Sequence, residues 1–270
     1  PIYENVDKAS GDVNTMRNDI RNMSDEIRFA VQTIVDMVLK NGLIVPSNEN
    51  VIVDSSSISE SNFDSNFDSN FGSDFVKIDV HNQCGFTPTA IGITALKLHE
   101  VNCIVFSNLI HSGKLNALTP IQLVQLFSCF TSFASDESDS NSTFDKNQNQ
   151  QNPIFLILAE IGSEFDKLIA VEHENRINTG SRYDMHYRLI DYAAKWCECT
   201  TEPEYLGVLS DVATCAQIGE FVKALLSITT IAAEIGQVSL DIGNVELAKR
   251  LSEIPALVLN HIVTFQSLYI

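Results

Sequence analysis

The chain has 270 residues and an apolar content of 44%, enough for a packed core, which excludes a protein that is disordered throughout. Its net charge of −18 and isoelectric point near 4.5 exclude a surface that grips nucleic acid broadly through phosphates, since such surfaces need clustered Lys and Arg. Any nucleic-acid contact has to be local, made by a few residues and held in place by something else.

In chain order, the spacing predicts a helix over 24–45. Ser24 is its candidate N-cap, Asp25 and Glu26 suit the positive end of its dipole, and Asn41-Gly42 closes it. Ile27, Ala30, Val31, Ile34, Val35, Val38 and Leu39 share one face. The stretch 12–23 is predicted helical but mostly polar. Apolar runs at 43–45 and 51–53 flank Pro46-Ser47-Asn48 and predict a hairpin or wing. Residues 54–74 repeat Ser-Asn-Phe-Asp and predict a disordered loop. Alternation over 75–80 predicts a strand.

A helix is expected over 104–110, ended by Gly113. The next start has a stated mechanism: Thr119 as N-cap, Pro120 at the first helical position, and Gln122 completing a capping box. That helix runs to Ser128-Cys129-Phe130. Residues 134–152 are rich in Ser, Asp, Asn and Gln and predict a second disordered loop. Asn152-Pro153 opens a helix with Ile154, Leu158, Ile161, Phe165 and Leu168 on one side. A polar link at 175–181 leads to a predicted helix over 184–199 carrying Met185, Leu189, Tyr192, Ala193 and Trp196. Residues 196–219 are read as a linker. A long buried helix begins near Gly219, with Phe221, Val222, Leu225, Leu226, Ile228, Ile231, Ala232 and Ile235 at helical spacing. Gly243 ends it and Asn244 caps a helix over 245–252; Pro255 is expected to separate that helix from a third run over 256–265.

Three groups of words in this sequence carry a resemblance. They are Gly219-x-Phe221-Val222-Lys223 with Ile242-Gly243-Asn244-x-Glu246-Leu247 and His261 through Ile270; Leu118-Thr119-Pro120-x-Gln122 with Ser128-Cys129-Phe130; and Gly92 with its following apolar segment. Together they resemble the C-terminal helical (DSHCT) domain of superkiller-type DExH-box RNA helicases, which include the exosome's helicase cofactor. A weaker likeness at 38–44 resembles the end of that family's winged-helix domain.

The fold class implied is mainly α: a DSHCT-like helical bundle over 91–270, preceded over 1–90 by a small winged-helix-like portion with a few short strands. The function implied is the non-catalytic C-terminal region of an ATP-dependent helicase, bracing the ATPase lobes and guiding RNA as it leaves them. An alternative from another class stays open: a stand-alone helical protein–protein interaction module that lost RNA contact. In the family, a basic residue and an Arg four positions on lie one turn apart facing RNA; the matching positions here are Lys223 and Ser227, so the second departs from the pattern. An acidic residue after Ser-Cys-Phe also approaches RNA there, and the first acid in that place is Asp136.

The chain has no phosphate-binding Gly-x-x-x-x-Gly-Lys loop and no Asp-Glu-x-His box. ATP and Mg²⁺ are therefore expected in helicase lobes outside it, and no cofactor within it. His99-Glu100 and His173-Glu174 lack zinc-ligand spacing and read as surface helix residues. Cysteines at 84, 103, 129, 197, 199 and 215 form no paired zinc motif; buried free thiols in a reducing, intracellular compartment are expected. No apolar run reaches the roughly 18 residues of a membrane helix, and a membrane partner is not expected. RNA, the protein's own helicase lobes and an RNA-degradation or RNA-processing complex are the partners implied. The chain opens on Pro1 without Met, which suggests a piece of something longer.

Overall fold

A computed structural model describes residues 2–47, 85–133 and 152–260. Along them run α1 (Ile2–Lys40), β1 (Ile44–Pro46), β2 (Phe86–Pro88), α2 (Ala90–Ala95), α3 (Cys103–His111), a 3-10 turn (Lys114–Ala117), α4 (Pro120–Ser128), α5 (Pro153–Asn175), α6 (Ile190–Glu198), α7 (Glu202–Ala213), α8 (Ile218–Asp241) and α9 (Val245–Val258). The architecture is mainly α, a helical bundle with one two-stranded antiparallel sheet among the described residues.

The bundle forms around α8 because its apolar residues repeat at helical spacing on one face. Phe221, Leu225, Ile228, Ile231, Ile235 and Val238 are all buried. α9 returns antiparallel after Gly243 adopts φ +79° and Asn244 accepts from the Leu247 N–H. Leu247, Leu251, Ile254 and Val258 bury against the bundle. α4 supplies Leu123, Val124, Leu126 and Phe127, and its predicted capping box is present. Gln122 N–H donates to Thr119 Oγ1 at 3.3 Å, and Thr119 N–H donates to Gln122 Oε1 at 2.9 Å.

Trp196 fastens four helices at one point. Its indole N–H donates to the Val258 carbonyl at 2.8 Å, while its ring meets Tyr205 of α7 and Phe221 of α8 edge-on, with centroids 4.7 and 5.5 Å apart. A second aromatic chain, Phe106–Phe130–Phe165–Tyr183, ties α3 and the end of α4 to α5 and the segment that follows it.

The strands join the amino-terminal helix to the bundle. α1 stops where Gly42 takes φ +70°, with the Leu43 N–H donating to the Val38 carbonyl. β1 then pairs with β2 in the register Ile44↔Pro88, Val45↔Thr87, Pro46↔Phe86. The backbone passes so close to α2 that a Cβ on Gly92 would lie 2.0 Å from the Leu43 carbonyl oxygen. Thr89 seals the junction: its hydroxyl donates to the Gly42 carbonyl at 2.7 Å and accepts from Gly92 N–H at 3.0 Å.

Several expectations are corrected. Ser24 does not cap a helix; α1 is continuous from Ile2, because the apolar positions stay in phase through the polar stretch. Its face at Ile27, Val31 and Ile34 is exposed, and only Thr33 and Met37 of α1 are buried among the described side chains. Pro255 does not divide the last segment: α9 runs through it to Val258, since Leu251, Ile254 and Val258 hold one buried face on both sides of the proline. Residues 184–189 are not helical, because this stretch spends its backbone on α4, with the His186 N–H donating to the Cys129 carbonyl at 2.8 Å. The supposed linker contains α7, with Tyr205, Val208 and Val212 buried. His99 and Glu100 sit in a loop, not on a helix. The predictions for 51–53, 54–74, 75–80 and 134–151, and the end of the 256–265 run, fall outside the described residues.

Candidate nucleic-acid interface

The two sequence-predicted residues that can be placed both lie on α8. Its sequence has one buried face and, on the other side, Lys223, Ser227, Thr230 and Glu234 at spacings of four, three and four, so they share a stripe. Lys223 is 72% exposed at its side chain and Ser227 is half-buried one turn along. The third candidate, Asp136, lies outside the described residues.

Lys223 is the only basic residue in the α8 sequence, and its ammonium is engaged within the helix: Nζ donates to Glu220 Oε1 at 2.7 Å. An exposed pair three residues apart contributes little stability, because water and salt screen it. Its consequence for binding is larger, since an incoming phosphate must compete with a carboxylate already in place. Sequence reasoning overlooked Glu220, although the three-residue spacing was a readable signal.

At the far end of the stripe, Glu234 serves the loop between α2 and α3. Its carboxylate accepts from the His99 N–H at 2.9 Å, from the Glu100 N–H at 3.1 Å and lies 2.9 Å from His99 Nδ1. This carboxylate is mostly covered, so it fixes the loop and adds a negative charge to the stripe. Nearby α8 ends at Asp241, whose carboxyl is held below the usual carboxylate range first by Lys97, 2.7 Å away, and then by Gln237.

The end of α4 opens on a hollow of about 150 Å³ lined by Asn102, Phe130, Thr131, Arg182, Asp184 and His186, among others. The Asn102 side chain caps α3 by accepting from the Val105 N–H at 3.1 Å, so its oxygen is already used. The described part of this strand of chain stops at Phe133, before Asp136. The hollow thus brings Arg182, Asp184 and His186 beside the Ser-Cys-Phe word without bringing Lys223 to it by any contact seen here.

No group of three or more His, Cys, Asp or Glu among the described residues is arranged to hold a metal ion. The most buried thiols, Cys129 and Cys197, are poor nucleophiles. Burial pushes Cys129 up to about 12, and burial followed by Glu198 does the same for Cys197. No helix of the described chain is long and apolar enough to cross a membrane. What the described part of α8 offers chemically is one exposed cation, Lys223, partly neutralised by Glu220.

The family model described as the DSHCT (NUC185) domain matches residues 85–266, more than half of the chain. No curated protein matches it.

Proposed function

Because the chain belongs to the DSHCT family, the C-terminal domain of superkiller-type DExH-box helicases, we propose that it braces the ATPase lobes of such a helicase and guides RNA past α8. The observation that carries this reading is the family match over 85–266 together with an α8 whose one face is locked in the bundle and whose other face presents Lys223. A helix buried by Phe221, Leu225, Ile228 and Ile235 cannot easily rotate or fray, so the backbone that carries Lys223 keeps a fixed position. ATP and Mg²⁺ would be bound by lobes outside this chain, and the chain would serve in an intracellular RNA-processing or RNA-degradation assembly.

On this reading the RNA contact is weak by design. The family's second basic position is Ser227, the first is paired with Glu220, and the whole chain carries −18. Those same facts favour the other reading, a helical interaction module that has given up RNA. The two are separated by measuring single-stranded RNA affinity at low salt for the protein and two variants. Lys223→Ala is expected to weaken binding several-fold and to reduce the slope of log affinity against log salt by roughly 0.7. Glu220→Gln is expected to strengthen it by freeing Lys223. Unchanged affinity in both variants removes α8 from the RNA path and leaves the interaction module.

A further inference from the structure

Between α5 and α6, residues 177–187 have no regular secondary structure, yet their side chains alternate in exposure. Tyr183, Met185 and Tyr187 are half-buried against the core, while Arg182, Asp184 and His186 are exposed. The row is held from beneath. The His186 N–H donates to the Cys129 carbonyl at 2.8 Å, and the Tyr183 hydroxyl donates to the Glu172 carboxylate at 2.7 Å. The Tyr183 ring also meets Phe165 edge-on, with centroids 5.5 Å apart. Such anchors fix the backbone that carries the three outer side chains.

Those three residues line the hollow of about 150 Å³ at the end of α4, together with Phe130 and Glu100. A cavity of that size admits an aromatic ring. Phe130 is half-buried and stands edge-on to Phe106 and Phe165, with centroids 4.9 and 6.4 Å away, so its ring is a fixed wall. No ion pair among the described residues includes Arg182 or Asp184, which leaves a guanidinium fork and a carboxylate for a ligand. Glu100 and Asp184, both in the lining, disfavour a bare phosphate. No three metal-ligating groups converge there among the described residues. A neutral planar ligand that offers both acceptors and donors suits both charges. Unpaired bases are bound in this way, stacked on an aromatic ring and hydrogen-bonded along their edges.

We propose that this hollow takes one unpaired guanine base of a bound RNA strand. Arg182 donates to O6 and N7, Asp184 accepts from N1–H and the N2 amino group, and Phe130 lies against the ring. Among the four bases only guanine sets two acceptors for an arginine fork beside two adjacent donors for a carboxylate. The inference rests on the reading of the chain as an RNA guide. It adds a preference for sequence, which Lys223 cannot supply because a phosphate contact is blind to the base. The two places adjoin one path. The outer stripe of α8 runs from Lys223 to Glu234, about 16 Å at the standard rise, and Glu234 holds the loop that carries Glu100 into the lining.

The test is fluorescence anisotropy at low salt, with the whole chain and oligouridines of one length that carry a single central G, A or C. The G strand is expected to bind roughly tenfold tighter than the A and C strands. Arg182→Ala and Asp184→Asn are each expected to erase that preference, with thermal unfolding unchanged because both side chains are exposed. Lys223→Ala is expected to weaken all strands alike and to leave the preference standing. Equal affinity for the G, A and C strands overturns the proposal, and so does a guanine preference that survives both variants of the hollow. A preference lost in those variants, with affinities untouched by Lys223→Ala, upholds the hollow and overturns the α8 reading. No binding of any strand overturns both.

Discussion

At the scale of single residues, the junction between α1 and the bundle depends on one missing atom. Gly92 lies in α2 where any β-carbon would overlap the Leu43 carbonyl, and the crowding atom is backbone, which cannot swing aside. Gly92→Ala should therefore force the β1–α2 contact open, costing about 1–3 kcal/mol in the range of overpacking substitutions, as read from urea unfolding. The same substitution at Gly207, on an open face of α7, should be neutral or slightly stabilising, which makes it the control. Lys223 shows the opposite kind of residue effect. Its removal should hardly change stability, since its ion pair is exposed, and should register only in RNA affinity.

At the scale of elements, helix starts are where the local chemistry is most explicit. α7 begins after Thr201, and Glu204 folds its carboxylate back onto the two preceding N–H groups, at 2.7 Å for Thr200 and 3.0 Å for Thr201. These bonds favour the ionised form, so the Glu204 carboxyl is held below the ordinary range, first by the Thr200 N–H and then by that of Thr201. A carboxyl depressed in the folded state contributes stability that is present above its unfolded value, about 4.3, and is lost as pH falls through the folded value. Glu204→Gln should thus lower the melting temperature at neutral pH. The gap from the parent should narrow as pH drops below about 4, where the parent loses the same contribution. A gap that stays constant through acid would mean the carboxylate does not stabilise the start of α7.

The elements also show what a sequence pattern can and cannot carry. The α4 capping box, the Asn152 start of α5 and the Gly243–Asn244 break were legible because each is a contract among residues two to four apart. α7 was equally legible in principle, from Thr201, Pro203 and Glu204 ahead of Tyr205, Val208 and Val212, yet its short apolar run between Cys197-x-Cys199 and Cys215 resembles a linker. Residues 184–189 could not be read in this way. Their helical spacing is real, and what overrides it is a backbone bond to Cys129, some 57 residues away in sequence at His186. Likewise Pro255 predicts a break from local rules, whereas α9 keeps its course because apolar residues on both sides of the proline bury into the same core.

At the scale of the whole molecule, one core links the segments from α3 to α9, and Cys129 lies within it, at the end of α4 where the segment containing His186 bonds to it. Its thiol is fully buried and pushed up to about 12 by that burial, so the reactive thiolate is scarce until the core opens. Alkylation followed by mass spectrometry should find Cys129 protected in native buffer and modified rapidly in urea. Equal rates in the two conditions would show that the bundle opens locally around α4. The charge of −18 also acts at this scale: it sets a repulsive background for any polyanion that approaches Lys223, which is already bonded to Glu220.

The amino-acid sequence by itself determined the family, the mainly helical class, the apolar phase of α8 and most helix ends, because caps and periodicities act between residues that are neighbours along the chain. The tertiary structure alone decided that β1 pairs with β2 some 40 residues on, that Gly92 must lack a side chain, and that 184–189 is not helical. It also decided that α1 leaves Met16, Ile20 and Ile27 exposed while Met37, on the same helix, is buried. These follow from which surfaces meet in space, and a repeat of apolar residues is the same string whether its stripe is covered or bare.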